Sequence, residues 1–293
     1  MAPAPENPLR IAVIFNLTRP DTMGIYFLKA FRELGHTVDH LQTREAARLR
    51  TAYDLYVKID DDDYERRLPS GSRPAFYFVS DIFLPHVFRK VARSAEQFDR
   101  IFCPMQAESE RLRRMGFRVE WLNAGCDPSL HGDRGVERAC DVAFVGTDGG
   151  DPRRFYLQLL RERYPNSRIG GAPHDQLGEI YSRSKIGFSF PIRRECVTMR
   201  CFEIMAAGAL LVMPELRDDS IERSGFIPGQ HLVTFSRPAE LFERVDYYLA
   251  HREEREKIAR EGQRMTLSSH TYLHRVKEML KIYGQITDKK GNG

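Results

Sequence analysis

Short apolar runs, often β-branched or aromatic, alternate along the chain with stretches whose apolar residues recur at helical spacing. Arg10–Phe15, Thr37–Leu41, Leu55–Ile59, Ala75–Val79, Arg100–Cys103 and Val119–Leu122 read as strands of a first half. Gly24–Leu34 and Ala107–Met115 read as helices between them, the first stopped by Gly35. The pattern then restarts. Asp141–Val145, Ser167–Ile169, Ile186–Phe190, Ala209–Met213 and Leu232–Phe235 are expected strands. Helices are expected from Pro152, over Gln176–Ser182, over about Thr198–Ala207, and from Pro238 to about 285, with 286–293 as a frayed tail.

Strands alternating with helices predict parallel sheets covered on both faces. Two such series predict an α/β protein of two Rossmann-like domains facing across a cleft. Pro128, Gly132, Gly135 and several charges cluster where the join is expected. The divisions are therefore 1–135, 136–270 and a terminal helix and tail over 271–293.

Composition narrows the classes. The chain has 293 residues, 42% hydrophobic and 29% charged, which is ordinary for a globular protein. A net charge of +4 is too small to argue for nucleic acid. It favours anionic small molecules or a lipid headgroup and leaves room for peripheral contact with a membrane surface. The five cysteines show no CxxC spacing, so reduced thiols and a cytoplasmic location are expected. No apolar run reaches the ~20 residues of a membrane span.

The stretch Phe188–Pro214 carries the most chemistry: a strand, a polar loop with Glu195, a helix with Glu203, then Gly208 and another strand. A nucleotide-diphospho-sugar offers a ribose, a diphosphate and a sugar in line. A carboxylate suits the paired ribose hydroxyls, and a second could reach the sugar. The helix N-terminus between them offers unpaired N–H groups to phosphate, with Thr198 as expected N-cap and Arg200 adding charge. The loop Gly146-Thr147-Asp-Gly-Gly before Arg153 and Arg154 sits between strand and helix, where glycines let backbone approach a phosphate; its bland alternative is an ordinary turn.

Glu195-x7-Glu203 followed by Ile-Met-Ala-Ala-Gly resembles the E-x7-E signature of GT-B glycosyltransferases. Arg200-Cys-Phe-Glu203 resembles the R-x-F-E variant of the CgeB-like, spore-maturation-type members, alongside the broader glycosyltransferase group 1. Asp141–Gly146 with Arg153 and Arg154, and His270-Thr271-Tyr272 with Arg275, resemble further segments of that family, as does Leu122–Pro128 in the linker. The resemblance implies that Glu203 binds ribose, that Glu195 contacts the donor sugar, and that the loop at Gly24 faces the donor. It also implies that the terminal helices cross back to the first domain. The sequence departs from the pattern at Arg193 and Arg194, where many members have small residues, and at Cys196 and Val197, where a glycine pair is common.

Asp81 ends a strand and is a candidate catalytic or acceptor-binding carboxylate; with Ser80 it could equally cap the next helix. The run Asp60–Asp63 has the spacing of a cation-binding carboxylate pair, but short acidic runs are common in solvated loops and no metal is expected. The reading is thus a metal-independent glycosyltransferase with no cofactor beyond its nucleotide-diphospho-sugar donor. The acceptor is a polysaccharide, a protein or a lipid-linked sugar, and nucleic acid is not expected. A non-catalytic nucleotide-sugar-binding module and a sugar-nucleotide epimerase stay open as alternatives.

Overall fold

The computed structural model describes residues 7–18, 22–46, 52–60 and 63–291. The chain divides into two compact units, residues 1–124 with 272–293, and residues 125–271.

The first unit is built on β1 (Arg10–Ile14), α1 (Met23–Glu33), β2 (Thr37–Leu41), α2 (Thr43–Ala46), β3 (Leu55–Ile59), β4 (Ala75–Phe78), α3 (Pro85–Ser94), β5 (Arg100–Cys103), α4 (Gln106–Arg114) and β6 (Val119–Trp121). Its six strands form one sheet in the order β2-β1-β3-β4-β5-β6. Every pairing is parallel, with Ile11 opposite both Val38 and Leu55. β3 and β4 are buried along their whole length, as a sheet covered on both faces requires.

The second unit contains α5 (Pro128–His131), β7 (Cys140–Val145), α6 (Arg153–Arg163), β8 (Ser167–Gly170), α7 (Leu177–Ser182), β9 (Ser184–Phe188), α8 (Met199–Ala206), β10 (Leu210–Pro214), α9 (Ser220–Arg223), β11 (Val233–Phe235), α10 (Pro238–Ala250) and α11 (Arg252–Ser269). Its five parallel strands run β11-β10-β9-β7-β8. Phe144, Phe188, Phe235 and Leu241 pack on one face, and Tyr181, Phe202, Ile204 and Leu232 belong to a second cluster.

The last helix, α12 (Tyr272–Gly291), belongs to the first unit. Tyr272 is 2% exposed and stacks on Tyr26 at 4.9 Å, with Phe27 edge-on at 5.2 Å. Arg275 Nε donates to Ala124 O at 2.9 Å. One residue before the crossing, His270 lies between Phe202 and Phe226 at 5.1 and 4.8 Å. The His-Thr-Tyr…Arg segment is therefore the point where the chain leaves one core and enters the other. Residues 286–291 continue this helix where a frayed tail was expected.

The division falls at Ala124, earlier than the expected 135, because residues 125–135 are tied to the second unit by bonds from far along the chain. Arg134 N donates to Ser182 Oγ at 3.0 Å. Arg138 then answers the backbone of two helix ends. Its Nη1 donates to the carbonyls of Tyr181, Ser182 and Ser184, and its Nη2 to Ala207 O and Asp133 Oδ2, all within 3.0–3.1 Å. Arg255, 5% exposed, does the same for the end of α10 through Tyr248 O at 2.8 Å. The carbonyls at a helix C-terminus lack intrahelical partners and carry partial negative charge, so a guanidinium fork suits them. Arg138→Ala would leave four carbonyls and Asp133 without this partner. It is expected to lower unfolding stability by about 3 kcal/mol, read from the urea midpoint. Arg138→Lys is expected to recover only part of it, and a loss under ~1 kcal/mol would refute the anchoring role.

Candidate donor site

In an open parallel sheet, ligands gather at the carboxyl ends of the strands, where consecutive connections leave in opposite directions. In the second unit that place is between β7 and β9, because the chain goes from β7 to β8 on one side and returns to β9 on the other. The two loops that leave there are 146–152 and 189–198.

The first loop holds Gly146, Thr147, Arg153 and Arg154. Asp148 Oδ1 accepts from Gly150 N at 3.3 Å, and its Oδ2 pairs with Arg154 Nε at 3.1 Å. Together these bonds hold the Asp148 carboxyl below its ordinary range. Arg153 ties this loop to the second one: Nε donates to Phe190 O at 2.7 Å and Nη1 to Thr147 O at 3.2 Å. Gly149 has φ +62°, and a Cβ there would come within 2.8 Å of Arg153 Nη1. Only glycine allows both that turn and that arginine.

The second loop places Glu195 at the end of β9 and β10. Its carboxylate, a quarter exposed, stands 3.9 Å from both Arg193 Nε and Arg217 Nη1, pairs too long and too wet to hold it tightly. Arg194 Nε donates to Glu215 O at 2.6 Å. Thr198 occupies the N-cap position of α8 with extended backbone but makes no side-chain capping bond, unlike the expectation. Its hydroxyl is instead 3.6 Å from Cys201 Sγ.

Glu203 is only 1% exposed. Arg200 Nη1 stands 2.5 Å from Oε2, one helical turn before it and out of line for a hydrogen bond. His131 Nε2 faces Oε1 at 3.3 Å. The other ring nitrogen, Nδ1, accepts from Asp127 N at 3.0 Å, which leaves the proton of the neutral ring on Nε2, toward the glutamate. Burial holds the His131 pKa below its ordinary value, partly offset by the Glu203 charge. Asp127 also caps α5, accepting from Ser129 N at 3.0 Å, and so fixes His131. Behind the pair, the Tyr181 hydroxyl accepts from Val145 N at 3.0 Å, and burial pushes its pKa up to about 12.

Arg153, Arg200, Glu203, His131 and Tyr181 thus share one electrostatic neighbourhood: Arg153 and Tyr181 both feel the Arg200 charge. Glu195 belongs to a second cluster with Arg193 and Arg217. Gly146, Thr147 and Arg154 lie on the outer loop. Gly24 and Asp81 belong to the first unit. Gly24 starts α1, where a Cβ would fall 2.3 Å from the Phe15 ring, so packing alone requires glycine there. Asp81 is exposed and opens a single 3₁₀ turn. Of the acidic run, Asp61 and Asp62 lie outside the described residues. Asp63 pairs with Arg66 at 3.0 Å. Among the described residues, no group of three His, Cys, Asp or Glu side chains could hold a metal ion.

A family model described as glycosyl transferase-like matches residues 134–281, half of the chain. The chain belongs to the glycosyl transferase-like family. No curated protein matches it in sequence. Its fold is similar to that of an alpha-glucosyltransferase solved with UDP-glucose and DNA containing an abasic site, at TM-score 0.71 and 10% identity, covering 95% of this chain and 100% of that one. It is also similar to sucrose-phosphate synthase from Thermosynechococcus elongatus, at TM-score 0.70 and 12% identity, covering 96% and 99%. Anabaena HepE, solved with UDP-glucose, matches at TM-score 0.61 and 12% identity, covering 97% and 100%. The architecture of this glycosyltransferase is therefore GT-B. Among the described residues, no helix is long and apolar enough to cross a membrane, and the cysteines form no disulfide.

Sequence reasoning missed His131, Tyr181 and Arg217. The one local signal was Asp127-Pro-x-x-His131, in which a capping aspartate sets a histidine one turn on. The buried pairing also separates two variants of Glu203. Glu203→Ala leaves Arg200 and His131 around an empty space and is expected to cost about 3 kcal/mol of stability. Glu203→Gln keeps volume and an acceptor and is expected to cost less than half as much. Urea unfolding of the two would show it, and equal losses would contradict the clamp.

Proposed function

We propose that this glycosyltransferase uses a UDP-sugar, with UDP-glucose the first candidate, and that it belongs to the CgeB-like branch. The observation that carries the reading is the surplus of arginine at the carboxyl edge of the second sheet. Helix N-termini already make that edge positive. Arg153 and Arg194 are added there although neither is ion-paired among the described residues. A diphosphate is the ligand chemistry that suits such an edge. The matched structures of HepE and of the alpha-glucosyltransferase, solved with UDP-glucose on the same fold, support the base and sugar. Arg200-Cys-Phe-Glu203 supports the branch.

In this reading residues 136–270 hold the donor and the first half holds the acceptor. Arg153, with Arg154 beside it, Arg200 and the backbone N–H groups from Thr198 onward meet the diphosphate; Gly146 and Thr147 line its approach. Glu203 accepts from the ribose hydroxyls, and Arg200 must leave Oε2 for phosphate as they arrive. Glu195 meets the sugar. Asp81 takes the proton of the acceptor hydroxyl or supports the positive charge that develops on the sugar. The acceptor oxygen bonds to the anomeric carbon as its bond to the diphosphate breaks, and the arginines stabilise the departing charge. The chemistry runs without a metal, in the cytoplasm with the thiols reduced.

A thermal-shift series with UDP-, GDP-, ADP- and dTDP-sugars tests this, with Mg²⁺ or with chelator. UDP-glucose at 100 times its dissociation constant should add about 2.7 kcal/mol to wild type in chelator, and Glu203→Gln should lose the shift. No shift with any sugar nucleotide would sink the donor-site reading. A shift that needs Mg²⁺ would overturn metal independence. Binding without any UDP release in the presence of acceptor candidates would leave a binding module.

A further inference from the structure

The first unit has its own switch point, between β1 and β3, and Asp60 lies at that carboxyl edge directly after β3. The Asp60 Oδ2 accepts three hydrogen bonds from one turn after β4: Ser80 N at 2.7 Å, Ser80 Oγ at 2.6 Å and Asp81 N at 3.0 Å. Its Oδ1 is buried and has no hydrogen-bond partner among the described residues. A carboxylate with one oxygen used three times and the other stripped of water is costly to keep charged. Two strands along the same edge, at the end of β5, the Cys103 thiol is pushed up to about 12 by burial, with the charges of Glu108 and Asp60 adding to it. Three side chains at adjacent strand ends, Asp60, Asp81 and Cys103, therefore disfavour a second negative charge.

We propose that Asp60 is the positioning residue for Asp81: its buried carboxyl holds the Ser80–Asp81 turn and exchanges charge with Asp81 as one coupled pair. This rests on the reading of Asp81 as the acceptor-side carboxylate. The physical logic is that of two acids held in unequal surroundings. Asp81 is exposed. Asp60 keeps its proton longer, raised to about 7 by burial and then by the Asp81 charge, against the lowering effect of its bonds to Ser80 and Asp81. When Asp60 ionises, its charge makes Asp81 a stronger base. The Asp81 charge acts on Asp60 and the Asp60 charge acts on Cys103, while the cation Lys58, buried two residues earlier on β3, donates to Asp63 O.

The sign for stability follows. The folded value lies above the unfolded one, so the neutral form is favoured in the fold. Wild type loses this advantage as pH rises from the ordinary carboxylate range through about 7. Asp60→Asn, neutral throughout and able to accept the same three bonds, should melt above wild type at pH 8 and close to it at pH 4. That comparison also checks that the variant folds.

The test is a ¹³C carboxyl titration of Asp-labelled protein, assigned with Asp60→Asn and Asp81→Asn. Asp60 should titrate near pH 7, and the Asp81 carbon should show a second step at the same pH. Asp60→Asn should abolish that step. Ser80→Ala, which removes one bond to the charged form, should move it to higher pH. UDP release from UDP-glucose should show the same inflection in its pH profile. In Asp60→Asn at pH 8, kcat should fall about tenfold with KM unchanged, as for a catalytic base that keeps its place and loses the neighbouring charge. Titration of Asp60 in the ordinary carboxylate range, or a single step at Asp81 in wild type, would overturn the proposal. Asp81→Asn with undiminished UDP release would instead remove the reading of Asp81 and leave the titrations standing, so the two failures are distinguishable.

Discussion

Helix polarity is the constraint on which the second unit depends. In a parallel α/β unit every crossover helix runs against the strands, so helix C-termini collect at one edge of the sheet and N-termini at the other. Like ends repel and must be answered. At the negative edge the answer is internal: Arg138 takes the ends of α7 and α8, Gln263 donates to Ala206 O at 3.0 Å, and Arg255 takes the end of α10. Burial lowers the pKa of Arg138 and Arg255. Arg138 and Arg255 there are used by backbone, and Lys185 and Arg260 pair with Asp141 and Glu256. The cavity of about 190 Å³ among them, lined also by Asp133 and Glu256, is therefore not an open anion site.

The opposite edge has no such internal answer. It is positive from the helices and made more positive by Arg153, Arg194 and Arg200. The one buried acid, Glu203, holds Arg200 in place and is itself hidden by it. In the proposed donor site this arrangement would act as a latch: a ribose that takes the glutamate displaces Arg200, and the diphosphate of the same ligand offers that arginine a new anion. A nucleoside alone would leave Arg200 with neither carboxylate nor phosphate, so differential interaction of the ligand with paired and released Arg200 would make the exchange favourable. The neutral His131 keeps one oxygen of Glu203 oriented without adding a competing charge.

Much of this was legible in the residues, and the reasons differ by element. β3 and β4 are apolar runs because both faces of their sheet are covered, so their spans read directly, whereas β9 opens on Ser184 and Lys185 and lies two residues before the expected span. The pairing of Glu203 with Arg200 follows from three-residue helical spacing. The division at Ala124 was not legible, because the bonds that tie residues 125–138 to the second unit come from positions more than forty residues on. The role of Asp60 was hidden for the same reason: its partners are twenty residues away, while its sequence neighbours read as a solvated loop. Thr198 fits every rule for a cap, yet its hydroxyl lies against Cys201 Sγ, three residues on, instead of a backbone N–H. The burial of Glu203 was equally invisible, since it needs His131 from a turn that periodicity does not mark.

The two units show how one topology supports opposite chemistry. Both sheets are parallel, both reverse strand order beside their first strand, and both present loops at the carboxyl edge. The second unit fills that edge with arginine, which suits a ligand arriving with charge and a leaving group that gains more. The first fills it with Asp60, Asp81 and a thiol that resists ionisation, which suits a group that must accept a proton. A helix N-terminus near a carboxylate favours its charged form, and burial opposes it. Asp60, with one oxygen sealed, falls on the side of burial. In the proposed mechanism a leaving diphosphate and an acceptor proton call for local fields of opposite sign, and the two sheet edges, each within its own unit, carry side chains of those opposite kinds.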